Sequence, residues 1–209
     1  MEGWRNYTRQ FFRDRYGILI VILLIFLLGV AGGCLGANKM PVEKREQLSV
    51  YLDGRWNEFT EQPVDRVAML EGSVIRNLEI TAAIWFLGLT VIGIPFIAGL
   101  VAFRGFILGF TVGFLVEQMS WQGVILSLLG ILPHNLIAVP TLIAAAALGV
   151  SFSMELVRGR ISIGFGGMGR MVLGYTTTML ALTAVMAAAG LTEGILSPSL
   201  IRLLNTLMR

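Results

Sequence analysis

The first residue to test for chemistry is His134, the one histidine among 209 residues, which follows Pro133 and precedes Asn135. An imidazole can relay a proton or ligate a metal. A polar pair within an apolar stretch of a membrane protein is a functional-site candidate by default. Ser127 stands seven residues before His134, so a serine–histidine hydrolytic pair can be drawn. That chemistry also requires an orienting acid and an exposed nucleophile. Neither is visible, and no Gly-x-Ser-x-Gly elbow is present. The plainer reading is that His134 and Asn135 satisfy backbone groups freed by Pro133, which has no N–H to donate.

Other motifs fare less well. Gly164-Phe165-Gly166-Gly167-Met168-Gly169 has the spacing of a dinucleotide-binding fingerprint. That motif needs a strand before it, a helix after it and an acid about 20 residues on. Here the next helix is a membrane span and position 189 is Ala189, so the glycines read as a turn. Cys34 is the sole cysteine, which excludes an internal disulfide. Ala31-Gly32-Gly33-Cys34 resembles a lipoprotein cleavage site, but leucine is missing three residues upstream and the apolar run exceeds a signal peptide's 7–15 residues. No His, Cys, Asp and Glu cluster has metal-ligand spacing. No catalytic, cofactor or metal residue is therefore expected.

Glycine spacing carries a different message. Gly105, Gly109 and Gly113 recur every fourth residue, as do Gly29 with Gly33 and Gly32 with Gly36. Such ridges let helix backbones approach closely in lipid, where no hydrophobic drive holds helices together. Packing within the chain and a subunit interface, giving a homodimer, are both open.

The elements that must position these residues are membrane helices. Hydrophobic residues make up 56% of the chain and charged ones 14%, with mean hydropathy +0.78. Soluble domains carry about 25% charged residues, so lipid must solvate part of this surface. The net charge of +3 forms no basic stripe, which argues against nucleic acid. The expected fold is all-α: a polytopic transmembrane bundle of about five spans, forming one membrane domain over residues 1–209. Gly17–Ala37 is uncharged for 21 residues, enough to cross about 30 Å of hydrocarbon. Further spans are expected at 78–103, with Pro95 as a kink, at 105–119 after a turn at Arg104, at 134–155 after a short arm at 121–131, and at 171–190. The tail from Leu191 is amphipathic and suits the interface. Residues 38–77 form an extracytoplasmic loop read as a helical hairpin, with Val67, Leu70, Val74 and Leu78 at helical spacing.

A cytoplasmic N-terminus places Arg5, Arg9, Arg13, Arg15, Arg104, Arg158, Arg160 and Arg170 inside. Equal numbers of basic residues remain outside, but the loop's six are diluted by seven acids, whereas the inner segments are short and dense. Glu117 and Glu155 lie at span ends, leaving span cores nearly free of ionisable groups, which counts against ion-coupled transport.

Three segments resemble one family: Trp85-Phe86-Leu87-Gly88-Leu89-Thr90-Val91-Ile92-Gly93-Ile94-Pro95, Arg104 through Leu115 (Arg-Gly-Phe-Ile-Leu-Gly-Phe-Thr-Val-Gly-Phe-Leu), and Ile131-Leu132-Pro133-His134-Asn135-Leu136-Ile137 with Pro140. Together they resemble the stage II sporulation protein M family of endospore-forming bacteria. That resemblance implies a non-enzymatic scaffold in the mother-cell membrane, recruiting or localising two peptidoglycan hydrolases during forespore engulfment. These partners are a lytic transglycosylase and an amidase/endopeptidase. Tyr51, Leu52, Trp56 and Phe59 of the outer loop are then candidate anchors for them, or simply dip into membrane lipids. The rival reading is a transporter or channel using the broken helix at 132–135.

Overall fold

Lipid offers no hydrogen-bond partner to backbone N–H and C=O groups, so apolar runs of span length fold as helices. The computed structural model describes residues 16–48, 66–157 and 165–207. Five helices are seen: α1 (Tyr16–Asn38), α2 (Arg66–Gly88), α3 (Gly93–Gly130), α4 (Leu132–Val157) and α5 (Phe165–Leu207). A further helical stretch occupies residues 42–48, and no strand occurs among the described residues. The loop residues Tyr51, Leu52, Trp56 and Phe59 and the four N-terminal arginines lie outside the described residues.

The protein is a helical, multi-pass membrane bundle. Among the described residues, four helical segments are long and apolar enough to cross a membrane: Tyr16–Asn38, Gly93–Gln118, Leu132–Val157 and Gly169–Leu191. Helix α2 is not among them, because Glu71, Ser73, Arg76, Asn77, Glu79 and Thr81 break up its apolar character.

Several expected boundaries move. The turn expected at Arg104 is replaced by continuous helix; the chain turns instead at residues 89–92, between α2 and α3. Pro95 does not kink a span but sits in the first turn of α3, where its missing N–H would have had no intrahelical acceptor. The expected spans 78–103 and 105–119 therefore become the second half of α2 and one helix from Gly93. Arg104 lies about 16 Å along that helix at 1.5 Å per residue. The tail is not a separate element, since α5 runs unbroken to Leu207.

Packing is built from small residues. Gly105, Gly109 and Gly113 of α3 face Phe26, Val30 and the Cys34–Ala37 turn of α1, while Gly29 and Gly33 face Ala102 and Phe106. The contacts climb both helices in the same direction, so α1 and α3 run parallel. Helix α2 returns between them in sequence and runs antiparallel to α5, with Gly190 beside Val74 and Trp85 beside Thr176. Helix α4 touches all four other helices. Of its apolar stretch 67% is buried within the protein, against 17–22% for the other candidate spans, which makes it the central helix. Its run of Ala144 to Ala147 and Gly149 lets neighbours close in from every side.

Candidate functional site: polar braces at the two ends of the bundle

At one end, α4 begins at a break. Helix α3 passes Ser120, whose φ of 50° and ψ of −122° interrupt it, and continues as an arm to Gly130. Gly123 lies against the backbone of Leu115, so the arm turns sharply on the end of α3. Ile131 follows, its N–H bonded to Ser127 O at 3.0 Å, and α4 starts at Leu132 with Pro133 in its first turn.

The two polar residues of this break do different work. Asn135 Nδ2 donates to Ile131 O at 2.8 Å, satisfying the chain's own turn. His134 is 5% exposed, and its Nδ1 donates to Ala189 O of α5 at 2.8 Å, which places a proton on Nδ1. Ser127 is buried with its hydroxyl on Gly123 O, so it is not paired with His134. Beside this brace, Ser73 and Asn77 of α2 are buried, and Asn77 Nδ2 donates to Met186 O at 3.4 Å. Gly190 permits that approach: a Cβ there would meet Asn77 Nδ2 at 3.1 Å and Val74 at 3.2 Å. Side chains of α2 and α4 thus converge on neighbouring carbonyls of α5.

At the opposite end, the turn between α2 and α3 is locked. The hydroxyl of Tyr175 reaches Ile84 O at 3.3 Å and Trp85 O at 3.1 Å. Its ring stacks on Phe152 at 4.4 Å. Trp85 Nε1 donates to Thr176 Oγ1, and Ser153 Oγ donates to Thr90 O at 2.7 Å. Thr90 Oγ1 donates to Leu87 O at 2.7 Å. Trp85 O and Leu87 O lie in the last turn of α2, whose carbonyls have no intrahelical donors. Gly88 is required here because a Cβ would strike the Tyr175 hydroxyl.

Sequence reasoning missed these residues. Tyr175 and Ser153 act across about 90 and 63 positions of chain, and no local spacing announces such bonds. Asn77 was legible: Ser73, Asn77 and Thr81 recur every fourth residue and form the buried face of α2, whereas Leu78 of the expected apolar face is exposed. The glycine ridge is occupied within the chain by α1. Cys34 is half-buried there, its thiol on Gly109 O at 3.2 Å. Arg45 of the 42–48 helical stretch pairs with Glu117 of α3 at 2.9 Å. Among the described residues, no three His, Cys, Asp or Glu side chains could hold a metal ion.

The segments that form these braces lie in the part of the chain that comparison recognises. Residues 22–198 match the family described as Stage II sporulation protein M. The chain belongs to that family. It is accordingly a sporulation-related membrane protein, and the match takes in α4 and all but the ends of α1 and α5. An uncharacterized protein of Methanocaldococcus jannaschii is 34% identical over 128 residues, which is 56% of this chain and 56% of that protein. The chain therefore spans little more than half the length of that relative. No solved structure matches it. In family terms, the Trp85–Pro95 segment is the locked turn, the Arg104–Leu115 run is the α1-facing ridge, and Ile131–Ile137 is the braced start of α4.

Proposed function

We propose that this member of the stage II sporulation protein M family is a non-enzymatic scaffold in the mother-cell membrane. It recruits or localises a lytic transglycosylase and an amidase/endopeptidase during engulfment. The observation that carries this reading is the family match over residues 22–198. The geometry supports it, because several buried polar side chains are engaged in bracing helices. His134 holds α5, Tyr175 and Ser153 hold the α2–α3 turn, and Asn135 holds its own helix start.

The same reading gives the chain five passes. Helices α1 and α3 are parallel neighbours and both have span length, so the chain must return across the bilayer between them. Among the described residues only α2 is available, at 23 residues or about 34 Å. A cytoplasmic N-terminus then puts the α2–α3 turn and Arg170 inside. The Arg45–Glu117 pair, the 121–130 arm and the end of α5 face outward, toward the wall.

One finding favours the transport alternative. Arg104 lies midway along an apolar helix, so the span cores are less free of ionisable groups than the sequence suggested. A crosslinked pull-down of the tagged protein from sporulating cells, read by mass spectrometry against vegetative cells, decides between the readings. Enrichment of both hydrolases is the expected result. Their absence from well-recovered protein would remove the scaffold and turn attention to flux assays in vesicles.

A further inference from the structure

Helix α2 has two faces that do not fit a helix surrounded by lipid. Its buried face, Ser73, Asn77, Thr81, Ile84 and Gly88, packs on α4 and α5. Opposite it, at 100° per residue, lie Gly72, Ile75, Glu79, Ala82 and Phe86. Ile75 is 51% exposed and Phe86 64%, and Glu79 and Ala82 are exposed as well. Their spacing of three, four, three and four is the seam of a two-stranded coiled coil. Glu79 stands nine residues from Gly88, about 13 Å into the bilayer if Gly88 marks the inner end of a crossing helix. A carboxyl group facing hydrocarbon at that depth is costly, and such groups ordinarily face protein or a water-filled cavity.

The flanking charges identify what covers the seam. With Gly72, Ile75, Glu79, Ala82 and Phe86 as the core positions, Glu71 and Arg76 fall on opposite flanks, five residues apart. That is the offset at which flanking charges pair between two parallel copies of one helix. Both side chains are exposed. The Arg76 guanidinium leans back toward Gly72, 3.8 Å from where a Cβ would be, which brings it to the level of residue 71. Gly72 and Ala82 are small enough for close helix approach.

We propose that two copies of the chain associate in the membrane through α2, packed parallel along Gly72, Ile75, Glu79, Ala82 and Phe86. Glu71 of each copy pairs with Arg76 of the other. Glu79 of each copy then faces protein at the seam rather than hydrocarbon. The glycine ridge of α3 has no part in this contact because α1 already occupies it.

The proposal rests on α2 crossing the membrane, and the test separates the two claims. In a Cys34→Ala background, single cysteines replace Ile75, Ala82 or, as a control on an exposed face of α5, Leu180. Native membranes are then oxidised. Crosslinked dimer at 75 and 82 but not at 180 is expected; no dimer at 75 and 82, or equal dimer at 180, overturns the interface. Glu71→Arg and Arg76→Glu, each added to the 75 cysteine chain, should each lower the dimer fraction on the order of tenfold. Co-expression of the two should restore it, because each mixed pair regains opposite charges. Wild-type crosslinking by each variant alone, or no restoration on mixing, overturns the proposed register. Labelling of cysteines at 75 and 82 by an impermeant maleimide would refute the crossing of α2 independently of whether dimer forms.

Discussion

Replacing Gly109 by alanine tests the packing logic of the bundle most directly. A Cβ on Gly109 would meet the Val30 carbonyl oxygen and lie 2.7 Å from its carbon and 2.8 Å from its Cα. All of these atoms are backbone, so no side chain can rotate away and α1 must move. Restoring ordinary contact parts the helices by roughly 1 Å, a gap that forfeits about a quarter to a half of the dispersion energy at the ridge. Overpacking of this kind costs about 1–3 kcal/mol. Gly99 on the same helix is the internal control, because a Cβ there meets nothing within 4 Å. Alanine at 99 should be neutral or stabilise by up to about 1 kcal/mol through helix propensity. The assay uses Cys34, the sole cysteine, whose thiol bonds Gly109 O across the same interface. A loss of about 2 kcal/mol corresponds to a roughly 30-fold faster reaction with a thiol dye if labelling follows separation of α1 from α3. Wild-type labelling by Gly109→Ala, with an unchanged unfolding midpoint, would refute the reasoning.

Three further substitutions probe the ends of the bundle. Ser120 has a φ of 50° and ψ of −122°, the geometry of the first central residue of a type II′ turn, where glycine is favoured. Ser120→Gly should therefore stabilise by about 1 kcal/mol in a thermal or SDS unfolding titration; a lowered midpoint would count against strain there. Tyr175→Phe keeps the stack on Phe152 but releases Ile84 O and Trp85 O, for an expected loss of about 0.6–1.7 kcal/mol. Hydrogen exchange should rise at the α2–α3 turn, and no change there would show that the hydroxyl is dispensable. His134→Ala removes the link to Ala189 and should cost about 1–3 kcal/mol. Under the proposed scaffold reading, hydrolase capture at permissive temperature should be retained, whereas abolished capture by a folded variant would make His134 more than a brace.

Some of the fold was legible because lipid constrains a chain locally. The uncharged run from Gly17 to Ala37 had to be a helix, and α1 covers it from Tyr16 to Asn38. The Gly-x-x-x-Gly spacings on α1 and α3 announced close helix contact, and the Pro133 break announced a new helix start. Arg104 was misplaced because a lone arginine in an apolar run looks like a loop marker, whereas Pro95 looks like a kink. In the structure the proline opens α3 and the arginine rides inside it. Of the apolar stripe read from Val67 to Leu78, Val74 packs beside Gly190 and Leu78 is exposed, while the buried positions of α2 include the polar Ser73, Asn77 and Thr81.

The sequence alone determined what each segment must do against its solvent: which stretches become helices, where small residues permit contact, and where proline starts a helix. These are local effects, decided within a few residues by hydrogen bonding, sterics and transfer to lipid. Only the tertiary structure decided that the glycine ridge is filled by α1, that His134 reaches Ala189, and that Tyr175 closes the turn 90 residues away. It also set α1 parallel to α3 and α2 antiparallel to α5. The physical reason is that a membrane helix has many faces of similar energy, and only packing against specific neighbours selects which one is buried.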